Sequence, residues 1–208
     1  LKQTNVPLHK GRPLFIVDCD EVILHQAGPV SAWLASDHGI DLPLSGRSAC
    51  YRADGSSVPG SELFRLMQLF ADTQLHRQTL VEGSKEALDM LGALGDVVIL
   101  TNIPERYRQA RVDQLAAFGI HHPVQCNVGL KGRAVAKLIE RYQPTATVFI
   151  DDQPGHHDDV TNAVSAVQCI QLIGDEHLAQ HIQWPSVEIS WRSIGWPKIR
   201  EEFSCLMQ

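Results

Sequence analysis

Four short apolar runs, Leu14 to Asp18, Val97 to Thr101, Thr147 to Asp151 and Val167 to Leu172, recur along the chain with helix-patterned segments between them. Runs apolar at consecutive positions suit strands buried on both faces, as in a parallel sheet covered by helices. A weaker fifth run spans Pro123 to Asn127. Between the runs, Ser84 to Leu94 sets Ala87, Leu88, Leu91 and Leu94 on one helical face, with Ser84 placed to cap it. Pro104 to Phe118 opens with proline at a first-turn position and stops before Gly119, and Gly132 to Tyr142 stops before Pro144. The alternation predicts an α/β fold with a parallel sheet flanked by helices.

One stretch, His25 to Glu82, breaks the alternation. It is too long for a structureless loop in a compact domain. Two helices, Val30 to His38 and Ser61 to Gln74, are predicted around a loop rich in Gly, Ser and Arg. The expected organisation is a core from 1–24 and 83–208 with a small helical insertion at 25–82 lying over the sheet. Trp33, Leu34, Phe64 and Met67 have the helical spacing of that insertion's own core, and Arg47 and Arg52 occupy its polar centre. Trp184, Trp191 and Trp196 mark the C-terminal part as packed rather than as a tail. A chain of 208 residues, 44% hydrophobic and 20% charged, supports one such core.

A net charge of −6 gives an average field that repels nucleic acid polymers and anionic lipid. The apolar runs are far shorter than the roughly 18 residues of a membrane span. The N-terminal residues lack the basic-then-apolar pattern of a signal peptide. The five cysteines, Cys19, Cys50, Cys126, Cys169 and Cys205, are odd in number and scattered, which argues against a disulfide framework or a zinc site. The expectation is a cytoplasmic protein; no motif specifies its oligomeric state.

The chemistry concentrates at the strand ends, where ligand sites of α/β sheets lie. The first strand runs into Asp18-Cys19-Asp20-Glu21, and the strand at 147–151 ends in Asp151-Asp152. Four carboxylates converging on one sheet edge repel one another unless a cation sits among them, and hard oxygen ligands point to Mg²⁺. The strand at 97–101 ends in Thr101-Asn102, able to donate to phosphoryl oxygens. Lys131 opens a later helix, where exposed N–H groups also favour an anion. Among the ten histidines, His177 and His181 read as surface residues and His121-His122 as a turn, while His156-His157 follow the acid pair closely enough to border the site.

In order and context these four elements resemble the haloacid dehalogenase-like (HAD) hydrolase superfamily, particularly its phosphatases, from about Pro13 to Leu172. Two-component receiver domains also combine acids, a threonine and a lysine, but with the acid pair at the first strand and a lone aspartate at the third, an order absent here. The resemblance implies a Rossmann-like core with a helical cap inserted after the first strand. It implies Asp18 as nucleophile toward a phosphate monoester and Asp20 as acid/base. It further implies Mg²⁺ held by Asp18, the backbone carbonyl of Asp20 and one or both of Asp151 and Asp152, and a phosphoryl group held by Thr101, Asn102 and Lys131. Asp20 favours a phosphatase, since the family's dehalogenases lack that acid.

Where many relatives carry glycine this chain has Glu21, which either faces solvent or touches the substrate or cap. Substrate identity is expected to reside in the insertion, with Arg47 and Arg52 as candidates for a second anionic group. Cys19 is expected to point away from the reaction, an inhibition-sensitive thiol at most. The implied partner is a small phosphorylated molecule, with a weak preference for a nucleotide or sugar phosphate. A phosphotransferase on the same centre and a non-catalytic binding or regulatory protein remain the alternatives.

Overall fold

The computed structural model describes residues 11–43 and 50–205, with 202–205 described by backbone alone. At its centre lies β1 (Leu14–Val17), between β4 (Asp96–Thr101) and β6 (Thr147–Asp151). With β5 (Val124–Cys126), β7 (Gln168–Ile173) and β8 (Trp191–Ile194) the sheet has the order β5-β4-β1-β6-β7-β8, and every pairing is parallel. Every residue of β1 and β6 is buried, as their unbroken apolar runs require.

Alternate residues feed two separate cores. Phe15, Val17, Val97, Ile99, Val148 and Ile150 face α3 (Ser84–Leu94), α4 (Arg108–Ala117) and α8 (Pro197–Cys205). Leu14, Ile16, Val98, Leu100 and Phe149 face α5 (Gly132–Tyr142) and α6 (Pro154–Ala163). The result is a three-layer α/β arrangement.

The segment after β1 builds α1 (Ala27–His38), a short antiparallel pair of β2 (Ile40–Asp41) and β3 (Tyr51–Arg52), and α2 (Gly60–Thr73). Val30, Trp33, Leu34, Ile40, Cys50, Leu66 and Phe70 form a third hydrophobic cluster there, apart from the two that line the sheet. The segments leading out and back meet in an isolated antiparallel bridge between Leu24 and Leu80, with His25 N–H donating to the Thr79 carbonyl at 2.9 Å.

Several details differ from the sequence reading. The α3 cap position is Gly83 at φ +77°, and Ser84 is the first helical residue, its hydroxyl donating to the Ile23 carbonyl at 3.2 Å. Pro104 precedes a 3-10 turn, Glu105–Tyr107, rather than entering the helix. Trp191 belongs to the edge strand β8, and Trp184 is 63% exposed beside the Arg192 guanidinium. Trp196 is fully buried, its indole N–H donating to the Val22 carbonyl at 2.7 Å, so the turn that leads into α8 fastens the loop that follows β1. Phe64 is no core residue of the insertion: it is 65% exposed. His177 lies on the single turn of α7 (Glu176–Ala179) and His181 beyond it, both exposed as expected. Among the described residues, no helix is long and apolar enough to cross a membrane.

Candidate active site

Parallel strands place Asp18, Thr101 and Asp151 at one sheet edge because Val17 pairs with Ile99 and Ile150, so the residues that follow leave the sheet together. Lys131, fully buried at the start of α5, sets its Nζ 2.7 Å from Asp18 Oδ1 and 2.7 Å from Asp151 Oδ2. Asp18 Oδ1 also accepts from Cys19 N–H at 2.7 Å. Burial raises the Asp18 carboxyl to about 7 against the opposing pull of Lys131, with Asp151 adding to the rise. Burial would lift Asp151 too, but the Lys131 ammonium and the His156 hydrogen bond hold it below the usual range.

Asp152 stands differently. Its Oδ2 accepts from the Gln153 side chain, and burial, followed by the charges of Asp151 and Asp18, pushes its carboxyl well up. Three buried carboxylates therefore face one buried ammonium. That surplus of negative charge on hard oxygen donors fits a divalent cation of the Mg²⁺ class. Asp151 is occupied on both oxygens, by Lys131 on one and by Gln153 N–H and His156 on the other. Asp18 and Asp152, which both border the cavity described below, are the carboxylates better placed to hold a metal. Among the described residues, potential ligand atoms of Asp18, Asp151 and His156 lie within 4.8 Å of one another.

His156, at the edge of the site as its position after the acid pair suggests, links two of its loops. Its Nε2 accepts from Asn102 at 3.1 Å, so Nδ1 carries the proton and donates to Asp151 at 2.9 Å. Asn102 also donates to the Gly129 carbonyl and accepts from Asn127, which commits much of its amide to tying loops together. The Thr101 hydroxyl is fully buried and has no hydrogen-bond partner among the described residues. His157 is buried, its Nε2–H donating to the Asp151 carbonyl at 2.9 Å, and supports the end of β6 from α6.

Asp20 projects into the cavity held from three directions. Arg111 of α4 donates to both its oxygens, at 3.0 and 3.1 Å, and Gln78 donates to Oδ1 at 2.8 Å. With its amide turned to satisfy its neighbours, Gln26 donates to both oxygens as well. Gln78 and Gln26 lie on the two connections to the inserted segment, so both connections meet on one carboxylate. The Arg111 guanidinium is 1% exposed and, although burial opposes its charge, Asp20 holds it firmly protonated. Arg111 escaped the sequence reading; its signal was a charged residue one helical turn before Leu115, on the buried face of α4.

Glu21 neither faces solvent nor lies idle. It has φ +62°, in the left-handed region that favours glycine, and its backbone carbonyl accepts from Gly174 N–H at 2.6 Å. Its Oε1 accepts from the backbone N–H groups of Gln26 and Ala27, capping α1. Cys19 is fully buried in the core and burial pushes its thiol up, so it is no accessible, inhibition-sensitive group. Arg52 pairs with Glu62 at 2.6 Å and does not border the cavity; Arg47 falls in 44–49, outside the described residues.

No family model matches the sequence, and a search of curated proteins gives no match. Solved structures do match in fold. A protein from Burkholderia xenovorans LB400 described as haloacid dehalogenase-like hydrolase superposes with a TM-score of 0.66 at 14% identity, over 95% of this chain and 99% of its own. A HAD family hydrolase from Deinococcus radiodurans R1, solved with phosphate and sodium, gives 0.60 at 14% identity, over 94% and 95%. A HAD-type hydrolase from Bacillus subtilis, solved with magnesium, gives 0.63 at 14% identity, over 94% and 99%. The fold of this chain is that of the HAD-like hydrolases.

Proposed function

We propose that this chain is a Mg²⁺-dependent phosphatase that hydrolyses a small phosphate monoester through an aspartyl-phosphate on Asp18. The observation that carries the reading is the convergence of Asp18, Lys131, Asp151 and Asp152 at the edge of the sheet, with Asp20 presented separately into the same cavity. The magnesium and phosphate in the two structural relatives are consistent with it. Bound Mg²⁺ would supply positive charge against the transferring phosphoryl oxygens, with Asp18 and Asp152 as its holders.

The protein's own groups divide the remaining work. Asp18 Oδ1 is fixed by Lys131 and Cys19 N–H, which leaves Oδ2 to attack phosphorus. Lys131 and the Thr101 hydroxyl stabilise phosphoryl charge as the ester bond breaks. Asp20, in a form that carries a proton in place of one of its Arg111 or glutamine contacts, gives that proton to the departing alkoxide. It then takes one from the water that attacks phosphorus and frees Asp18.

The test is phosphate release from a monoester panel, in Mg²⁺ and in EDTA, for wild type and Asp18→Asn. Turnover that requires Mg²⁺ and disappears in Asp18→Asn supports the reading. A folded protein that hydrolyses nothing, or an Asp18→Asn variant as active as wild type, contradicts it.

A further inference from the structure

The cavity that opens on Asp18 and Asp152 has a volume of about 620 Å³, within the roughly 300–1,000 Å³ of small-molecule pockets. Four acids and several amide side chains border it, and the greater part of the remaining lining is apolar, contributed by both the inserted segment and the core. Val30, Phe64 and Met67 come from the inserted segment, and Ile103, Tyr107 and Ile182 from the core.

Helix α2 has two apolar faces. Leu66 and Phe70 are buried in the third hydrophobic cluster, against which Met67 also packs, while Phe64, Met67 and Ala71, spaced three and four apart, border the cavity together with Phe70. Phe64 is left 65% exposed on that second face, a phenyl ring bordering the reaction space without a covering partner.

Charge narrows the choice further. The carboxylates of Asp18, Asp20, Glu21 and Asp152 border the cavity. Of the basic groups on its described wall, Arg111 is committed to both oxygens of Asp20 and His156 to Asp151. A second phosphate or a carboxylate on the substrate would meet repulsion there, and Arg52 is paired elsewhere with Glu62.

Resting on the phosphatase reading, we propose that the substrate is the phosphate monoester of an alcohol bearing an aromatic or similarly bulky apolar body, with no second anionic group. The phosphoryl group would meet Asp18 and Lys131 while the apolar body lies between Phe64 and Met67 on one side and Ile103 and Tyr107 on the other.

The experiment compares kcat/KM for 2-phenylethyl phosphate, glycerol 3-phosphate and phosphoglycolate, all alkyl esters, with acetyl phosphate as a small substrate that reports the chemistry alone. The expectation is a preference of about tenfold or more for 2-phenylethyl phosphate over the other two esters. Phe64→Ser should lower that preference at least several-fold, chiefly through KM, while Phe64→Leu retains much of it. Asp18-dependent hydrolysis of acetyl phosphate, with glycerol 3-phosphate or phosphoglycolate equal to or better than the aromatic ester, overturns this inference and leaves the phosphatase reading standing. Phe64→Ser that slows every ester alike also overturns it. If neither acetyl phosphate nor any ester is hydrolysed by folded protein, both fall together.

Discussion

Arg111 is the residue on which the account makes its sharpest demand. A guanidinium buried beside a carboxylate has lost its hydration and is held by the fork it makes with Asp20. Arg111→Lys keeps the charge but loses the two-pronged contact, so Asp20 is less well aimed, and kcat should fall about tenfold or more with KM little changed. Steady-state kinetics on a variant with an unshifted melting temperature checks this; unchanged kcat would reduce Arg111 to a structural role. Glu21 makes a different prediction. Burial raises its carboxyl above the ordinary 4.5, so over the pH range between the two values the folded state keeps a proton that the unfolded chain has released. Stability from this group therefore falls as pH rises through that range. Glu21→Gln retains an oxygen to cap α1 and should abolish that contribution, so the variant gains on wild type in urea unfolding as pH rises above 4.5. Parallel pH curves would contradict it. The candidate acids were legible as residues because aspartates directly follow buried strands. Arg111 and Gln78 were not, since pairing across 91 and 58 positions leaves no local pattern.

At the scale of elements, α5 carries Lys131 into the site, and its approach to α6 depends on Gly132. A β-carbon there would lie 2.6 Å from the Asp159 backbone oxygen and 2.9 Å from the Ala163 side chain. Gly132→Ala should force α5 outward, with a cost of about 1–3 kcal/mol and a loss of activity from the displaced lysine, measured by denaturant unfolding and turnover on the same preparation. Wild-type values for both would show that the helices have slack. Strands β1, β4, β6 and β7 were readable because burial on both faces demands continuous apolar sequence. β8 was not: it runs Trp191-Arg192-Ser193-Ile194 along the sheet edge, with Ile194 55% exposed, and its residues follow no single burial rule. Phe64 was misread for a related reason. Helical spacing tells that an apolar residue shares a face with others, but not whether that face meets a core or a cavity.

For the whole molecule, the inserted segment and the sheet edge bound one cavity together, and Asp20 sits where the two connections between them meet. The α/β class followed from the order of apolar runs. The cavity's apolar lining did not, because it is assembled from residues distant in sequence, from Val30 to Ile182. The central claim is that Asp18 is phosphorylated during turnover. Rapid acid quenching of the protein with a hydrolysed substrate and Mg²⁺, followed by mass spectrometry of its peptides, tests it most directly. The account predicts one phosphoryl group on the peptide carrying Asp18, with more of it in Asp20→Asn, where hydrolysis of the intermediate is slowed. Turnover with no phosphoryl group on Asp18 at any quench time, in wild type or Asp20→Asn, would contradict it.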